Sequence, residues 1–156
     1  MTKIRAIQAL ERAGAEFHVH YYHVASDEGS YGESVAAAVG VDGGRMFKTL
    51  VASVDGRPAV GIVPVDRQLS MKALARVALG KRAHMADAKD AERLTGYVVG
   101  GISPFGRTRR IPVYVDESAF QHDTVFVSGG QRGVQLEVRP RLLIELNDGT
   151  RAAIAD

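Results

Sequence analysis

Hydrophobic spacing divides the chain into short, interleaved elements. Ile4, Ile7 and Leu10 recur at helical spacing, with Thr2 placed as a cap and Gly14 where such a helix stops. Phe17, Val19 and Tyr21 alternate with His18, His20 and Tyr22, which predicts a strand. Ser30-Tyr31-Gly32-Glu33 has capping-box spacing ahead of Val35 to Val39, and Gly40 closes that helix. Met46 to Val54 and Ala59 to Val65 are rich in strand formers and flank Asp55-Gly56, the strongest hairpin signal in the chain. Ser70 caps a third helix through Leu79, with Gly80 as its stop, and Asp87 caps a fourth from Ala88 to Leu94. Tyr97 to Val99, Ile111 to Val115, Thr124 to Val127 and Val134 to Val138 read as later strands. Pro140 suits the first turn of a last helix, Arg141 to Leu146, after which Asp148-Gly149 turns the chain into Arg151 to Ala155. Strands outnumber helices without a strict βαβ rhythm. The expectation is an α+β domain with an antiparallel or mixed, strongly curved sheet flanked by helices.

Length and composition narrow the class. The 156 residues suit one domain, 1–156, with room for a real core. Twenty basic and 18 acidic residues leave a net charge of +2, which permits a nucleic-acid partner without demanding one. Cysteine is absent, which excludes disulfides, thiolate metal sites and a cysteine nucleophile of the protein's own. Lys3 and Arg5 lead into a stretch too short and polar for a secretory signal, and no run approaches the ~18 apolar residues of a membrane span. A cytoplasmic protein with no membrane partner is expected.

Four features depart from an ordinary globule. Lys48 shares its strand face with Met46, Leu50, Ala52 and Val54. An ammonium there either snorkels to water at the strand end or sits at a pocket rim, aimed at a carbonyl or phosphate oxygen. Glycine, at 17 residues, is enriched, and much of it lies in two stretches, Gly96 to Gly106 and Ser128 to Gly133. Neither has Walker spacing and the first carries no usable dinucleotide fingerprint, so each is either a set of tight turns or a place where backbone N–H groups approach a ligand. Arg107, Arg109 and Arg110 follow the first stretch with no acidic residue between Gly96 and Val115, as a solvated loop or a phosphate-contacting rim. His18, His20 and His23 lack a fourth ligand at any recognised metal spacing and read as solvent-facing. Ser103 and Ser128 have no evident partner base, and Asp116-Glu117 reads as a surface turn.

Taken together, Phe47-Lys48-Thr49-Leu50, the stretch from Gly96 to Gly106, and Val127-Ser128-Gly129-Gly130-Gln131-Arg132-Gly133 resemble three signatures of the YbaK/EbsC family. The nearest member type is the free-standing Cys-tRNA(Pro) deacylase, homologous to the editing domain of prolyl-tRNA synthetases. Three motifs in matching order over essentially the whole chain make the resemblance specific. It implies an α+β fold with a mixed, barrel-like sheet surrounded by helices. It also implies trans-editing, the removal of cysteine wrongly attached to proline tRNA, by a hydrolase or lyase that needs no cofactor or metal. A small cysteine enters a proline pocket because binding alone discriminates poorly between side chains of similar size.

By that resemblance Lys48 is the polar side chain near the 3′-terminal adenosine and the ester, and the substrate's own thiol attacks its carbonyl. The backbone at Gly100-Gly101 would position the acyl group or stabilise its oxyanion, which makes Gly101 a catalytic candidate. Tyr22, Tyr31, Thr49 and Ser128 match pocket positions, and Ser103 and Gly129 lie inside the glycine signatures. Tyr31 stands where close relatives have Phe. Gln135 stands where some carry Asp, so an acceptor-only carboxylate becomes an amide with donors and acceptors. Arg107, Arg109 and Arg110 are candidate tRNA contacts. The implied partners are the aminoacyl end of tRNA(Pro) and, transiently, prolyl-tRNA synthetase, with a monomer as the simplest state. Two alternatives stay open: a deacylase for another charged tRNA such as Ala-tRNA(Pro), and a non-catalytic module binding tRNA ends or a synthetase.

Overall fold

A computed structural model describes residues 4–23 and 31–156, with the backbone alone at Tyr31. Its elements run α1 (Arg5–Arg12), β1 (Phe17–Tyr21), α2 (Tyr31–Val39), β2 (Phe47–Val54), β3 (Arg57–Pro64), α3 (Met71–Val77), β4 (Ala83–Met85), α4 (Ala88–Thr95), β5 (Val113–Asp116), β6 (Val125–Ser128), β7 (Val134–Val138), α5 (Arg141–Glu145) and β8 (Thr150–Ala152). A 3-10 turn covers Glu117–Gln121. No helix among the described residues is long and apolar enough to cross a membrane.

The strands form two sheets. One is antiparallel, in the order β1-β7-β6. The other is mixed, in the order β4-β2-β3-β5-β8, with β3, β5 and β8 parallel and β2 antiparallel to both of its neighbours. An isolated bridge between Met46 and Phe126 joins them, with the Phe126 N–H donating to the Arg45 carbonyl at 3.0 Å. The mixed α+β class is as the pattern predicts, but neither sheet closes on itself, so the described strands form two open sheets in place of one barrel-like surface. The turn from Asp42 to Arg45 leads into this junction, and β6 packs beside β2 with no further bridge among the described residues.

The hairpin at Asp55-Gly56 has both residues at positive φ, 51° and 81°, as a two-residue type I′ turn requires. It sets the full β2–β3 register from Val54↔Arg57 to Phe47↔Pro64. The largest core cluster includes Leu10, Phe47, Ile62, Val113, Leu136 and Leu143, which come from both sheets, α1 and α5. Smaller clusters include Leu69 and Leu74 beside α3, and Val35, Met46, Val65 and Phe126 beside α2.

Several expectations need correction. Tyr97 to Val99 is not a strand, because local groups satisfy its backbone. The Tyr97 N–H donates to Thr95 Oγ1, and the Gly101 N–H closes a turn on the Val98 carbonyl. The helix-stopping left-handed residue after α3 is Leu79, at φ 59°. Gly80 is there for space, since a Cβ on it would lie 2.4 Å from Val54 Cγ1. Asp116 is buried and accepts from the Ser118 hydroxyl and the N–H groups of Ser118, Ile154 and Ala155, which ties the chain end to β5. The proposed caps Thr2 and Ser30 lie outside the described residues, whereas Ser70 and Asp87 cap as expected.

Candidate functional site

A cavity of about 420 Å3 lies along one edge of β2. Every residue from Met46 to Val51 lines it, although alternate side chains of a strand should face opposite ways. Strand pairing explains this. β3 covers one edge of β2 throughout, while β4 covers the other only at Ala52 to Val54. Among the described residues the stretch before that is an open edge, bounded by the Met46–Phe126 bridge at one end and by the Ala86 N–H on the Val51 carbonyl at the other. Since Val51 turns its carbonyl to this edge, Thr49, two residues away, turns its backbone N–H and C=O the same way.

Lys48 lines the cavity and is half-buried. Burial holds its ammonium below the ordinary lysine value, and the nearby charges of Glu33 and Asp66 restore part of that loss. No ion pair forms on it among the described residues. Of the sequence's two readings, the rim-of-pocket cation is the one that the cavity supports.

Two oxygens in the cavity wall carry more information. Thr49 is 7% exposed and Gln135 6% exposed, and neither Thr49 Oγ1 nor Gln135 Oε1 has a hydrogen-bond partner among the described residues. An unpaired buried polar group costs about 1–3 kcal/mol, so two on one wall are a deficit that a ligand can fill. Gln135 reaches the site from β7, where it pairs with Ser128 of β6 and His20 of β1. Ser128 also lines the cavity, and its hydroxyl accepts from the Gly130 N–H at 3.2 Å.

The glycine stretches have mixed roles. Gly100 lines the cavity at φ +92°, a conformation that favours glycine. Gly101 does not line it. Its N–H is committed to the Val98 carbonyl at 2.9 Å, and a Cβ on it would lie 2.9 Å from Gln131 Cα. Gly101 therefore lets the two glycine loops pack together and does not offer an oxyanion donor. Gly129 is similarly a packing glycine, 2.4 Å from Val134 Cγ1 by the same measure. Ser103 is fully buried away from the cavity wall and accepts from the Phe105 N–H at 3.3 Å. Tyr22 packs on the small cluster containing Val35, Met46 and Val65, which itself reaches the cavity. Tyr31 opens α2, and its side chain lies outside the described part.

Arg107, Arg109 and Arg110 line a second, separate cavity of about 590 Å3 that shares no residue with the first. Arg107 bonds Asn147 at 3.0 Å and Arg110 pairs with Asp148 at 2.8 Å. Among the described residues the histidines serve no common centre: His20 bonds Glu137 at 2.9 Å, while His18 and His23 are exposed.

Arg5 is a residue that sequence reasoning missed. It donates to the carbonyls of Gly96 and Gly106 at 2.6 and 3.2 Å and stacks on the Tyr97 ring at 4.7 Å, so α1 holds both ends of the glycine-rich loop. Arginine at a helix start carries no signal for such a role.

Known proteins resemble this chain over most of its length. Residues 28–146 match the family described as aminoacyl-tRNA editing domain. The chain belongs to that family. It is 35% identical over 153 residues to EbsC of Enterococcus faecalis, a candidate Cys-tRNA(Pro)/Cys-tRNA(Cys) deacylase, covering 97% of this chain and 93% of that protein. It is 30% identical over 125 residues to the multifunctional Ser/Thr-tRNA deacylase ProXp-y of Escherichia coli, covering 78% of this chain and 72% of the relative. The crystal structure of a candidate trans-editing enzyme for prolyl tRNA synthetase superposes with a TM-score of 0.84 at 24% identity, over 97% of this chain and 95% of that one. That likeness confirms the editing-domain fold.

Proposed function

We propose that this chain is a trans-editing deacylase that removes cysteine from tRNA(Pro). The observation that carries the reading is the cavity wall, where Lys48, Thr49, Gly100, Ser128 and Gln135 meet and two buried oxygens lack partners among the described residues, in a chain of the editing-domain family. The acyl group enters the cavity, and Lys48 draws on its ester and the adjoining 3′-terminal ribose. With the Gly101 N–H committed elsewhere, the Lys48 ammonium and the edge N–H of Thr49 face the developing oxyanion. The substrate's thiol attacks its own ester carbonyl. A C–S bond forms, the C–O bond to the ribose breaks, and the thiol proton passes to the departing ribose oxygen. The products are a cysteine thiolactone and free tRNA. The protein needs no nucleophile for this route, which is in keeping with a chain that has no cysteine.

Tyr22 and Tyr31 complete the pocket in this reading, and Arg109 and Arg110 meet the tRNA body. A transient complex with prolyl-tRNA synthetase supplies tRNA choice to a monomer whose own charge is only +2. Gln135 supports a second reading, in which the acyl group is not cysteine, because a neutral amide stands where some relatives carry Asp. The Ser/Thr-tRNA deacylase among the relatives shows that this family spans more than one acyl group.

The test is a deacylation panel with Cys-, Ser-, Ala- and Pro-tRNA(Pro). Release of cysteine as thiolactone, with seryl release far slower, is expected, because a hydroxyl is the weaker nucleophile at neutral pH. Fast seryl release would overturn the thiol route. Salt-dependent tRNA binding without any ester cleavage would overturn the enzyme reading in favour of a binding module.

A further inference from the structure

An aminoacyl ester joins its acyl group to the last nucleoside of tRNA, so a cavity that holds the acyl group sets that nucleoside at its mouth. The mouth here carries apolar side chains that the fold leaves in water. Val99 is 46% exposed and Met85 45% exposed, and both line the cavity. Val98, next in the chain, is 58% exposed. Single exposed hydrophobics are ordinary, but here two line one opening and a third adjoins them in the chain.

Their turn is held in place. The Gly101 N–H donates to the Val98 carbonyl at 2.9 Å, and the Val99 N–H donates to Glu92 Oε2 of α4 at 2.8 Å. Valine is stiff at χ1, so two valines on a fixed turn form a platform that gives up little entropy on binding. A cation sits on the same turn. The Arg132 guanidinium packs against Gly100 so closely that a Cβ there would lie 2.7 Å from its Nε and 3.2 Å from its Cζ.

We propose that Val98, Val99 and Met85 form the seat of the terminal nucleobase of the tRNA 3′ end, with Arg132 on the phosphate that joins it to the preceding nucleotide. The proposal rests on reading the cavity as the acyl site. It assigns the turn a nucleotide-binding role that acts through apolar contact and charge, without reading base identity.

The test compares cysteinyl-tRNA(Pro), cysteinyl-adenosine and cysteine methyl ester, which has no nucleoside. Val98→Ser/Val99→Ser should raise KM for the first two by about 10-fold more than for the methyl ester, from the apolar area that the base no longer covers. Arg132→Gln should raise KM for cysteinyl-tRNA and flatten its salt dependence, with a much smaller effect on cysteinyl-adenosine, which has no phosphate. Equal losses on all three esters would overturn the proposal. Should the wild-type protein cleave none of them, the deacylase reading falls, and titration with an uncharged CCA trinucleotide still decides the platform. Binding that the valine variant weakens supports it, and binding that is absent or unaltered by the variant refutes it.

Discussion

Replacing Thr49 by valine should make the protein more stable and the site worse. The two side chains have nearly the same shape, and the change removes only the hydroxyl. Thr49 Oγ1 is buried in the cavity wall with no partner among the described residues. Leaving such a group unpaired costs about 1–3 kcal/mol, and valine favours strands at least as well as threonine. A gain of about 1 kcal/mol is expected in the free protein, or roughly 2–4 °C in Tm for a chain of this size. If the hydroxyl is there to meet the substrate, kcat/KM for cysteinyl-tRNA(Pro) falls by about 10-fold at the same time, the equivalent of one hydrogen bond of ~1.4 kcal/mol. Thermal unfolding followed by circular dichroism gives the first quantity, and deacylation at low substrate gives the second. Thr49→Ser is the control: it keeps the hydroxyl, should retain most activity, and loses a buried methyl. A Tm that drops in Thr49→Val would mean that the hydroxyl is structurally bonded. An unchanged kcat/KM would mean that the unpaired oxygen has nothing to do with the substrate.

Other expectations follow from the same geometry. Lys48→Met should lose most turnover with little change in Tm. Because burial holds the ammonium below 10.5, wild-type activity should fall as pH rises through that lowered value, and Lys48→Arg should push the alkaline limb upward. Stability runs the other way between the lowered value and 10.5, rising with pH because the unfolded chain binds the proton more tightly, and Lys48→Met should lack that slope in denaturant titrations. Burial alone would raise the Asp116 carboxyl, but the Ser118 hydroxyl and the N–H groups of Ile154, Ser118 and Ala155 hold it below 3.8. Its stabilisation is present above 3.8 and lost as pH falls through the folded value, so Asp116→Ala should cost about 3 kcal/mol at pH 7 and flatten the acid limb of stability. Gly101→Ala should lower Tm by the equivalent of about 1–3 kcal/mol, since its Cβ meets Gln131 backbone at 2.9 Å; an unaffected Tm would mean that the loops separate freely. Arg109→Ala/Arg110→Ala should weaken tRNA binding and reduce its salt slope, and an unchanged slope would remove that loop from the interface.

Elements with local signals were legible in the sequence. Asp55-Gly56 fixed a hairpin because two adjacent positive-φ residues allow one turn geometry, and Ser70 and Asp87 capped helices because their oxygens reach an N–H three residues on. What escaped depended on distant partners. Tyr97 to Val99 has strand composition, yet Thr95 and the Val98–Gly101 turn satisfy it locally. The Asp116-Glu117 pair looked like a surface turn because nothing near it in sequence reveals that Ile154 and Ala155 return to bond the first carboxylate. Within the site, Lys48 was visible as a charge out of place on an apolar face. The glycine stretches looked uniform, although Gly100 faces the cavity while Gly101 and Gly129 serve loop packing.

The placement of the site at an open strand edge follows from the chemistry proposed for it. A deacylase whose substrate brings its own nucleophile needs donors fixed around a carbonyl more than it needs a base. An uncovered edge supplies them, because every second residue turns its backbone groups outward in a geometry fixed by the partner strand. Such an edge is normally a liability, since it invites pairing with another strand. Here the bridge to β6 occupies one end and Ala86 the other, so only the short stretch between them is left unpaired among the described residues. Arg45 secures the first of these ends: it donates to Thr124, just before β6, and to Glu137 of β7, and lies 5.1 Å from the Phe126 ring. Loosening the Arg45 junction should therefore damage catalysis before it damages the fold, although Arg45 itself does not line the cavity.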